Sequence, residues 1–292
     1  MENKVLMITG GRGFIGSNLA NSLKYKNKVR IYDKSDGNDI RDFSKLNKKM
    51  EGVDYVFHFA ALASVTEGVK NPKEVMDHNI LGTYNVLKAA AINKVKKVVF
   101  ASSSAVYGEP EYTPIDENHK LKAVSAYPIS KIFCENLLQK FKQEYNLNSI
   151  ALRYFNVYGP NQNLKYGPVV PSFIKSALKN EDIIIFGDGK QTRDFIYVNG
   201  VNRANVLAAK NNNYGFFNIA SGKAIKIEEL AKLIIELTES KSKIVFGKPR
   251  PGDIIHSFAN IERARSILNF IPKYNLEEGL KETIEWYKLK LD

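Results

Sequence analysis

Short β-branched runs alternate with amphipathic stretches through the first half of the chain. Strands are predicted at Lys4–Thr9, Lys28–Asp33, Tyr55–Phe59, Val98–Ala101 and Ser149–Arg153. Between them, apolar residues recur at helical spacing over Phe14–Leu23, Lys73–Ala91 and Tyr127–Tyr145. Strand–helix alternation with largely apolar strands predicts a parallel sheet covered by helices on both faces. The second half is more broken. Loops rich in Gly, Pro and Asn separate helices near Pro171–Leu178, Asn199–Ala209, Ile227–Leu237 and Leu276–Lys288. No internal repeat and no low-complexity linker interrupts the pattern.

Composition narrows the class. Of 292 residues, 44% are hydrophobic and 25% charged, which supports a packed core and excludes a mainly disordered chain. The one cysteine, Cys134, rules out an intrachain disulfide framework and a cysteine metal cluster. The four histidines show no metal-ligand spacing, so no metal is expected. No apolar run reaches the ~18 residues of a membrane span. A lone thiol and the lack of a secretory leader predict a cytoplasmic protein with no membrane partner. Net charge is 43 − 31 = +12, which invites a nucleic-acid reading. Yet 34 of the basic residues are Lys and only nine are Arg, scattered over many segments. No nucleic-acid partner is expected from such a surface.

The first strand runs into Gly10-Gly11-Arg12-Gly13-Phe14-Ile15-Gly16 and then a helix. Gly10, Gly13 and Gly16 have the spacing of a phosphate-binding turn. Without Cβ atoms, backbone N–H groups at the start of a helix can touch a pyrophosphate, and Phe14 and Ile15 open that helix. The last glycine brings helix and sheet together. The second strand ends in Asp33, seventeen residues after Gly16. A carboxylate there accepts bonds from both ribose hydroxyls of an adenosine and repels a 2′-phosphate, which favours NAD over NADP. The fold class is therefore α/β, with a Rossmann-type doubly wound parallel sheet and a smaller C-terminal α/β substrate lobe. Residues 1–155 form the NAD-binding domain, with segments near 194–220 returning to it, and 156–292 are mainly the substrate lobe.

The fourth strand ends in Ser102-Ser103-Ser104-Ala105-Val106-Tyr107-Gly108. Further on, Ala126-Tyr127-Pro128-Ile129-Ser130-Lys131 opens a helix, where Pro128 suits the first turn. Tyr127 and Lys131 are i and i+4 and share a face. A cation near a phenol favours phenolate, so Tyr127 is predicted to have a lowered pKa and to act as a general base. His58 lies on an apolar strand and reads as structural. Cys134 reads as a packed core residue.

These motifs resemble an extended short-chain dehydrogenase/reductase of the NAD-dependent sugar-nucleotide epimerase/dehydratase family, over essentially the whole chain. The resemblance also rests on His58-Phe59-Ala60-Ala61, Asn79 with Gly82-Thr83, Arg153-Tyr154-Phe155-Asn156-Val157-Tyr158-Gly159-Pro160, Phe186-Gly187-Asp188-Gly189, Arg193-Asp194-Phe195 and Arg250-Pro251-Gly252-Asp253. It implies Ser103 as the third catalytic residue beside Tyr127 and Lys131. It implies cofactor contacts from Phe59, Ala60, Ala61, Asn79, Ser102, Lys131 and Tyr154, and nucleotide contacts from Asp39 and Ile40. The loop from Asp33 to Asp39 is shorter than usual for the family. Substrate contacts implied are Ser103, Phe155, Asn156, the uracil platform of Ile184 and Phe186, the diphosphate arginines Arg193 and Arg250, and Asp253. Ser257, four residues past Asp253, is implied as a gate beside the sugar ring. Forms limited to plain hexoses resemble one another in a Tyr there, and forms admitting N-acetylhexosamines in a small residue.

Dehydratases of the family resemble one another in an Asp-Glu pair after the catalytic Ser or Thr, and its decarboxylases keep a Glu. Ser104 and Ala105 stand there instead. The resemblance therefore implies a UDP-sugar 4-epimerase that retains NAD, with UDP-glucose and UDP-galactose as substrates and the N-acetyl forms admitted by a small residue at Ser257. A NAD(P)-dependent sugar-nucleotide reductase or dehydrogenase is the alternative. A dinucleotide sensor without catalysis is the reading from another class. The family also implies a homodimer, in which Lys73–Ala91 and Tyr127–Tyr145 pair with their copies in a four-helix interface.

Overall fold

The computed structural model describes residues 1–63, 69–164, 167–250 and 252–291. Six parallel strands form the main sheet: β1 (Val5–Thr9), β2 (Lys28–Tyr32), β3 (Tyr55–His58), β4 (Lys97–Ser103), β5 (Ser149–Tyr154) and Gly215–Ile219. Their spatial order places β1 between β2 and β3, with β4, β5 and Gly215–Ile219 following outward from β3. The chain thus switches direction across the sheet at β1, and in doubly wound sheets ligands bind at the carboxyl ends of the strands beside such a point.

Both faces are covered. On one, α1 (Phe14–Leu23), Val198–Lys210 and Glu262–Leu268 contribute Leu19, Ala204, Ala208 and Leu268 to a core shared with Leu6, Ile8, Ile150 and Leu152. On the other, α2 (Phe43–Met50), Gly82–Ile92 and the helix Ala126–Tyr145 bury Leu46, Val86, Leu87, Cys134 and Leu138 against Met7, Val56 and Val98. A third core joins Val169–Leu178, Ile227–Thr238 and Leu276–Leu291, with Phe173, Leu230 and Ile284 at its centre. No helix among the described residues is long and apolar enough to cross a membrane.

The predicted helix Phe14–Leu23 is observed with those ends. The stretch predicted as one helix over Lys73–Ala91 is three pieces: Pro72–Met76, a π-helical turn Asp77–Leu81, and Gly82–Ile92. Such π turns widen a helix locally and are common at functional sites. Among the described residues, elements without a counterpart in the pattern include α2, whose Asp42 cap accepts the Lys45 N–H at 3.0 Å, the outer strand Gly215–Ile219, the short strands Ile244–Gly247 and His256–Ser257, and Glu262–Leu268.

Candidate active site

The turn after β1 is built by close backbone contact. Gly10 sits at φ +68°, and a Cβ there would lie 2.6 Å from the Ala60 nitrogen, so the chain after β3 can pack directly on the turn. A Cβ at Gly16 would collide with the Gly10 carbonyl, so only glycine lets α1 approach. Gly13 is the helix cap, without a side-chain cap bond, so the N–H groups of Phe14, Ile15 and Gly16 begin the helix facing outward. An added Cβ at Gly13 meets only the Gly10 oxygen within 4 Å, leaving the outer side of the turn open. An open, uncapped helix start beside an acidic strand end fits a dinucleotide.

That acidic end is Asp33. Its Oδ2 accepts the Arg12 N–H at 2.9 Å, and its Oδ1 accepts the Ser35 N–H and hydroxyl, both at 2.9 Å. Burial acts to raise its pKa, but the donors of Ser35 and Arg12 outweigh it, and the carboxyl is held below its ordinary value. Asp33 is therefore an anion at neutral pH, with one side of Oδ2 left for a ribose hydroxyl. Arg12 is itself tied to Asp36 at 3.0 Å.

At the end of β4, the Ser103 hydroxyl oxygen accepts the Ala105 N–H at 3.2 Å and faces Tyr127. Tyr127 stands in the first turn of α3 (Ala126–Tyr145). Lys131, buried on the same helix, donates to the Ala101 carbonyl at 2.7 Å, with its nitrogen 5.8 Å from the Tyr127 ring centre. Burial lowers the Lys131 pKa to about 8. The three residues come together, but the expected acidic phenol is corrected. Burial pushes the Tyr127 pKa up, and the Ser103 hydroxyl offsets this only in part. The physical reason is burial of the phenol, while the hydrogen bond of Lys131 runs to the Ala101 carbonyl and its nitrogen stays 5.8 Å from the phenol ring centre.

A second group gathers at the edge of the smaller lobe. Ile184 and Phe186 alternate outward on the strand Ile183–Phe186 and are exposed. The Arg250 guanidinium stacks 3.9 Å over the Phe186 ring. Arg193 donates to Asp253 at 2.6 Å, and the Asp253 N–H bonds the Arg250 carbonyl at 3.2 Å. Ser257, 8% exposed, pairs in register with Arg193. Asn156 donates to the Asp194 carbonyl at 2.9 Å. Pro251 lies outside the described residues.

Several implied contacts cannot come from the side chain. Asn79 is spent within the protein: Oδ1 accepts the Leu62 N–H at 2.8 Å, and Nδ2 donates to Ser130 at 2.8 Å and to the Leu62 carbonyl at 3.2 Å. It fixes the loop of Phe59, Ala60 and Ala61 against α3. The Ser102 hydroxyl donates to Glu135 at 2.6 Å, on the face of β4 opposite that of the neighbouring Ser103. The Tyr154 phenol donates to Asn205 at 2.9 Å. Ile40 packs in the core against Gly82, so it has only its backbone to offer a nucleotide. The Asp39 carboxylate is gripped by the Arg41 guanidinium at 2.8 Å, which holds its pKa down to about 2. Phe155 is buried with Val106, Tyr107 and Ile115. His58 is buried and neutral, its pKa lowered to about 3 by burial and by Lys131, with ring nitrogens bonded to Thr9 at 2.6 Å and Thr83 at 3.0 Å.

Glu135 and Asn218 lie in no motif named above, and Asp194 stands in one without a role assigned to it. Asp194 accepts the N–H groups of Ser221 at 2.8 Å and Gly222 at 2.9 Å, and that of Ala259 at 3.3 Å, which ties the segment after Ser257 to the strand beyond Arg193. Glu135 is one turn past Lys131, and that spacing was the available signal.

A model of the NAD dependent epimerase/dehydratase family matches residues 6–220. The chain belongs to this family. Among its relatives, a putative UDP-glucose 4-epimerase of Methanocaldococcus jannaschii is 38% identical, over 97% of this chain and 98% of its own. A UDP-N-acetyl-alpha-D-glucosaminuronate decarboxylase of Bacillus cytotoxicus is 35% identical, over 98% of each. Among solved structures, the UDP-N-acetylglucosamine 4-epimerase of Methanobrevibacter ruminantium, in complex with UDP-N-acetylmuramic acid, superposes with a TM-score of 0.95. It is 38% identical, and the match covers 99% of this chain and 100% of that one.

As a member of the NAD-dependent family, the protein is expected to bind NAD better than NADP, because the anionic Asp33 at the end of β2 would repel a 2′-phosphate. Asp33→Ser removes the anion and leaves Arg12 and Lys34 beside the site. The ratio of the two dissociation constants, measured by titration calorimetry, should narrow at least several-fold. A wild type that prefers NADP would contradict this reading of the strand end.

Proposed function

We propose that the protein interconverts C4 epimers of a UDP-hexose through a 4-keto sugar, using a retained NAD, and that it accepts the N-acetyl forms as well as UDP-glucose and UDP-galactose. The observation that carries this is Ser103, Tyr127 and Lys131 standing together at the carboxyl edge of the sheet, beside Ser104 and Ala105. Neither Ser104 nor Ala105 offers a carboxylate for elimination or for steering a decarboxylation. The decarboxylase likeness therefore extends to the scaffold and stops short of this pair.

Tyr127 takes the proton of the sugar 4-hydroxyl, and Ser103 shares it across a short hydrogen bond. When bound, NAD supplies the hydride acceptor and donor for C4 and a positive charge beside the phenol. That charge favours phenolate, which burial alone disfavours here. Lys131 orients the cofactor side of the site. Exposed Ile184 and Phe186 offer a platform for the uracil, and Arg193 and Arg250 offer planar guanidinium groups for the diphosphate. Holding the nucleotide firmly and the hexose loosely lets the keto sugar turn over before the hydride returns.

The test is incubation with UDP-glucose and UDP-N-acetylglucosamine, without added cofactor, followed by separation of the sugars. Formation of the galacto epimers supports the reading. Release of carbon dioxide from a UDP-hexuronic acid, without epimer formation, would favour decarboxylation instead.

The same reading includes a homodimer. Leu81 (48% exposed), Tyr84, Ile129 and Phe133 (54% exposed) leave an apolar face on the helices that cover the sheet. A second copy presenting the same face would bury it. Leu81→Glu with Phe133→Glu should convert a dimer into a monomer in light scattering. A monomeric wild type would contradict the pairing. A cytoplasmic location is part of this proposal and rests on the single, buried cysteine.

A further inference from the structure

Beneath the site lies a buried polar network. Arg153 donates from Nε to Glu135 Oε1 at 2.9 Å and from Nη2 to Oε2 at 2.6 Å, a two-point pair with both side chains buried. Ser102 adds a third bond, to Oε1 at 2.6 Å. Arg153 Nη1 donates to the Tyr107 hydroxyl at 3.0 Å, which donates in turn to Asn218 at 2.6 Å. The network joins β4, β5, the strand Gly215–Ile219 and α3.

We propose that Glu135 is a positioning residue for the reaction: clamped by Arg153 and Ser102, it seats the Lys131 ammonium beside Tyr127. The inference rests on the reading of Tyr127 and Lys131 as the proton-handling pair. Three members of the network adjoin the site along the chain. Ser102 precedes Ser103, Glu135 follows Lys131 by one helical turn, and Arg153 precedes Tyr154. A shift of the clamp therefore moves the site residues with it. Stability alone gives little reason for such a pair, since well-packed apolar side chains of the same volume often do as well.

The clamp also sets the charge around Lys131. On its own helix Lys131 meets Tyr127, Cys134 and Glu135. From β3 comes the neutral His58, and from β4 the Ala101 carbonyl and the Phe100 ring at 4.6 Å. Behind Glu135, on β5, stands Arg153, paired with that carboxylate. Glu135 is the carboxylate among these groups, and it favours the ammonium against the burial that disfavours it.

The variants make signed predictions. Glu135→Gln removes the anion and leaves Arg153 uncompensated, and both changes favour loss of the Lys131 proton. Arg153→Met leaves the anion uncompensated and favours its retention. The double variant removes both charges. The probe is the side-chain carbon resonance of Lys131 in protein purified with its cofactor and labelled on lysine, assigned by its loss in Lys131→Met. Its titration midpoint should fall by about one pH unit or more in Glu135→Gln, the scale of a neighbouring opposite charge. It should rise in Arg153→Met and return close to wild type in the double variant. The alkaline limb of kcat should follow these midpoints while KM stays constant. Midpoints at the wild-type value in all folded variants, with only the melting temperature lowered, would overturn the proposal. Where Glu135→Gln fails to fold, Arg153→Met and the double variant still decide. The resonance titrates whichever sugar is turned over, so failure of the epimerase reading is distinguishable from failure of the clamp.

Discussion

Tyr127→Phe is expected to lower turnover by two or more orders of magnitude while NAD stays bound. The substitution removes one oxygen and keeps the ring, so packing in the first turn of α3 is retained. What disappears is the group proposed to take the proton from the 4-hydroxyl, and general-base catalysis of this kind contributes typically 10²–10⁴-fold. Ser103 is a poor substitute, because a neutral aliphatic hydroxyl whose oxygen already accepts the Ala105 N–H is a far weaker base than a phenolate. NAD content, measured by absorbance after denaturation, should match wild type, since the glycine turn and Asp33 are untouched. Near wild-type turnover in this variant would remove Tyr127 from the role.

Ser257→Tyr is expected to abolish most activity on UDP-N-acetylglucosamine while sparing UDP-glucose. Ser257 is held in place from two sides. It pairs with Arg193 in a short parallel bridge, and the chain just after it is anchored when Asp194 accepts the Ala259 N–H. It is also 8% exposed, so a phenol ring there must displace its surroundings, and on the proposed reading of Ser257 as the gate it does so in the volume beside the sugar. Overpacking a tight site costs ~1–3 kcal/mol, about 5- to 150-fold in kcat/KM for the sugar whose acetamido group needs that space. The ratio of the two kcat/KM values is the measurement. Equal losses for both sugars would show that Ser257 supports the fold and does not gate the ring.

Much of the scaffold was legible because it is written in periodicity. Helix Phe14–Leu23 and strands β1 to β5 carry long apolar patterns, and the glycines at 10, 13 and 16 encode a turn that a Cβ would block. The Lys-rich α2 is eight residues long, and its apolar stripe is reduced to Phe43, Leu46 and Met50. Gly215–Ile219 opens with a glycine and a half-buried phenylalanine, Phe216, ahead of the buried Phe217, which reads as loop until its pairing with β5 is seen.

The site shows a sharper division. Motifs gave the identity of its residues but not the direction of their side chains. Ser102 and Ser103 are adjacent on a strand and so point to opposite faces, one to Glu135 and one to Tyr127. Asn79, Tyr154 and Asp39 each stand where the motif puts them, yet each spends its polar atoms on Leu62, Asn205 or Arg41. The lowered pKa expected for Tyr127 failed for a related reason. The i, i+4 spacing placed Lys131 on the same face but could not show how deeply the phenol is buried or that Lys131 donates to the Ala101 carbonyl.

The central claim is that the hydrogen removed from C4 returns to C4 of the same sugar from its other face. The most direct test is incubation of UDP-glucose carrying deuterium at C4 with the purified protein, without added NAD, followed by mass and NMR analysis of the product. The account predicts UDP-galactose that keeps the deuterium at C4, with no net build-up of reduced nicotinamide absorbance. Product that has lost the label to solvent, or oxidised sugar formed in proportion to NAD added, would contradict it.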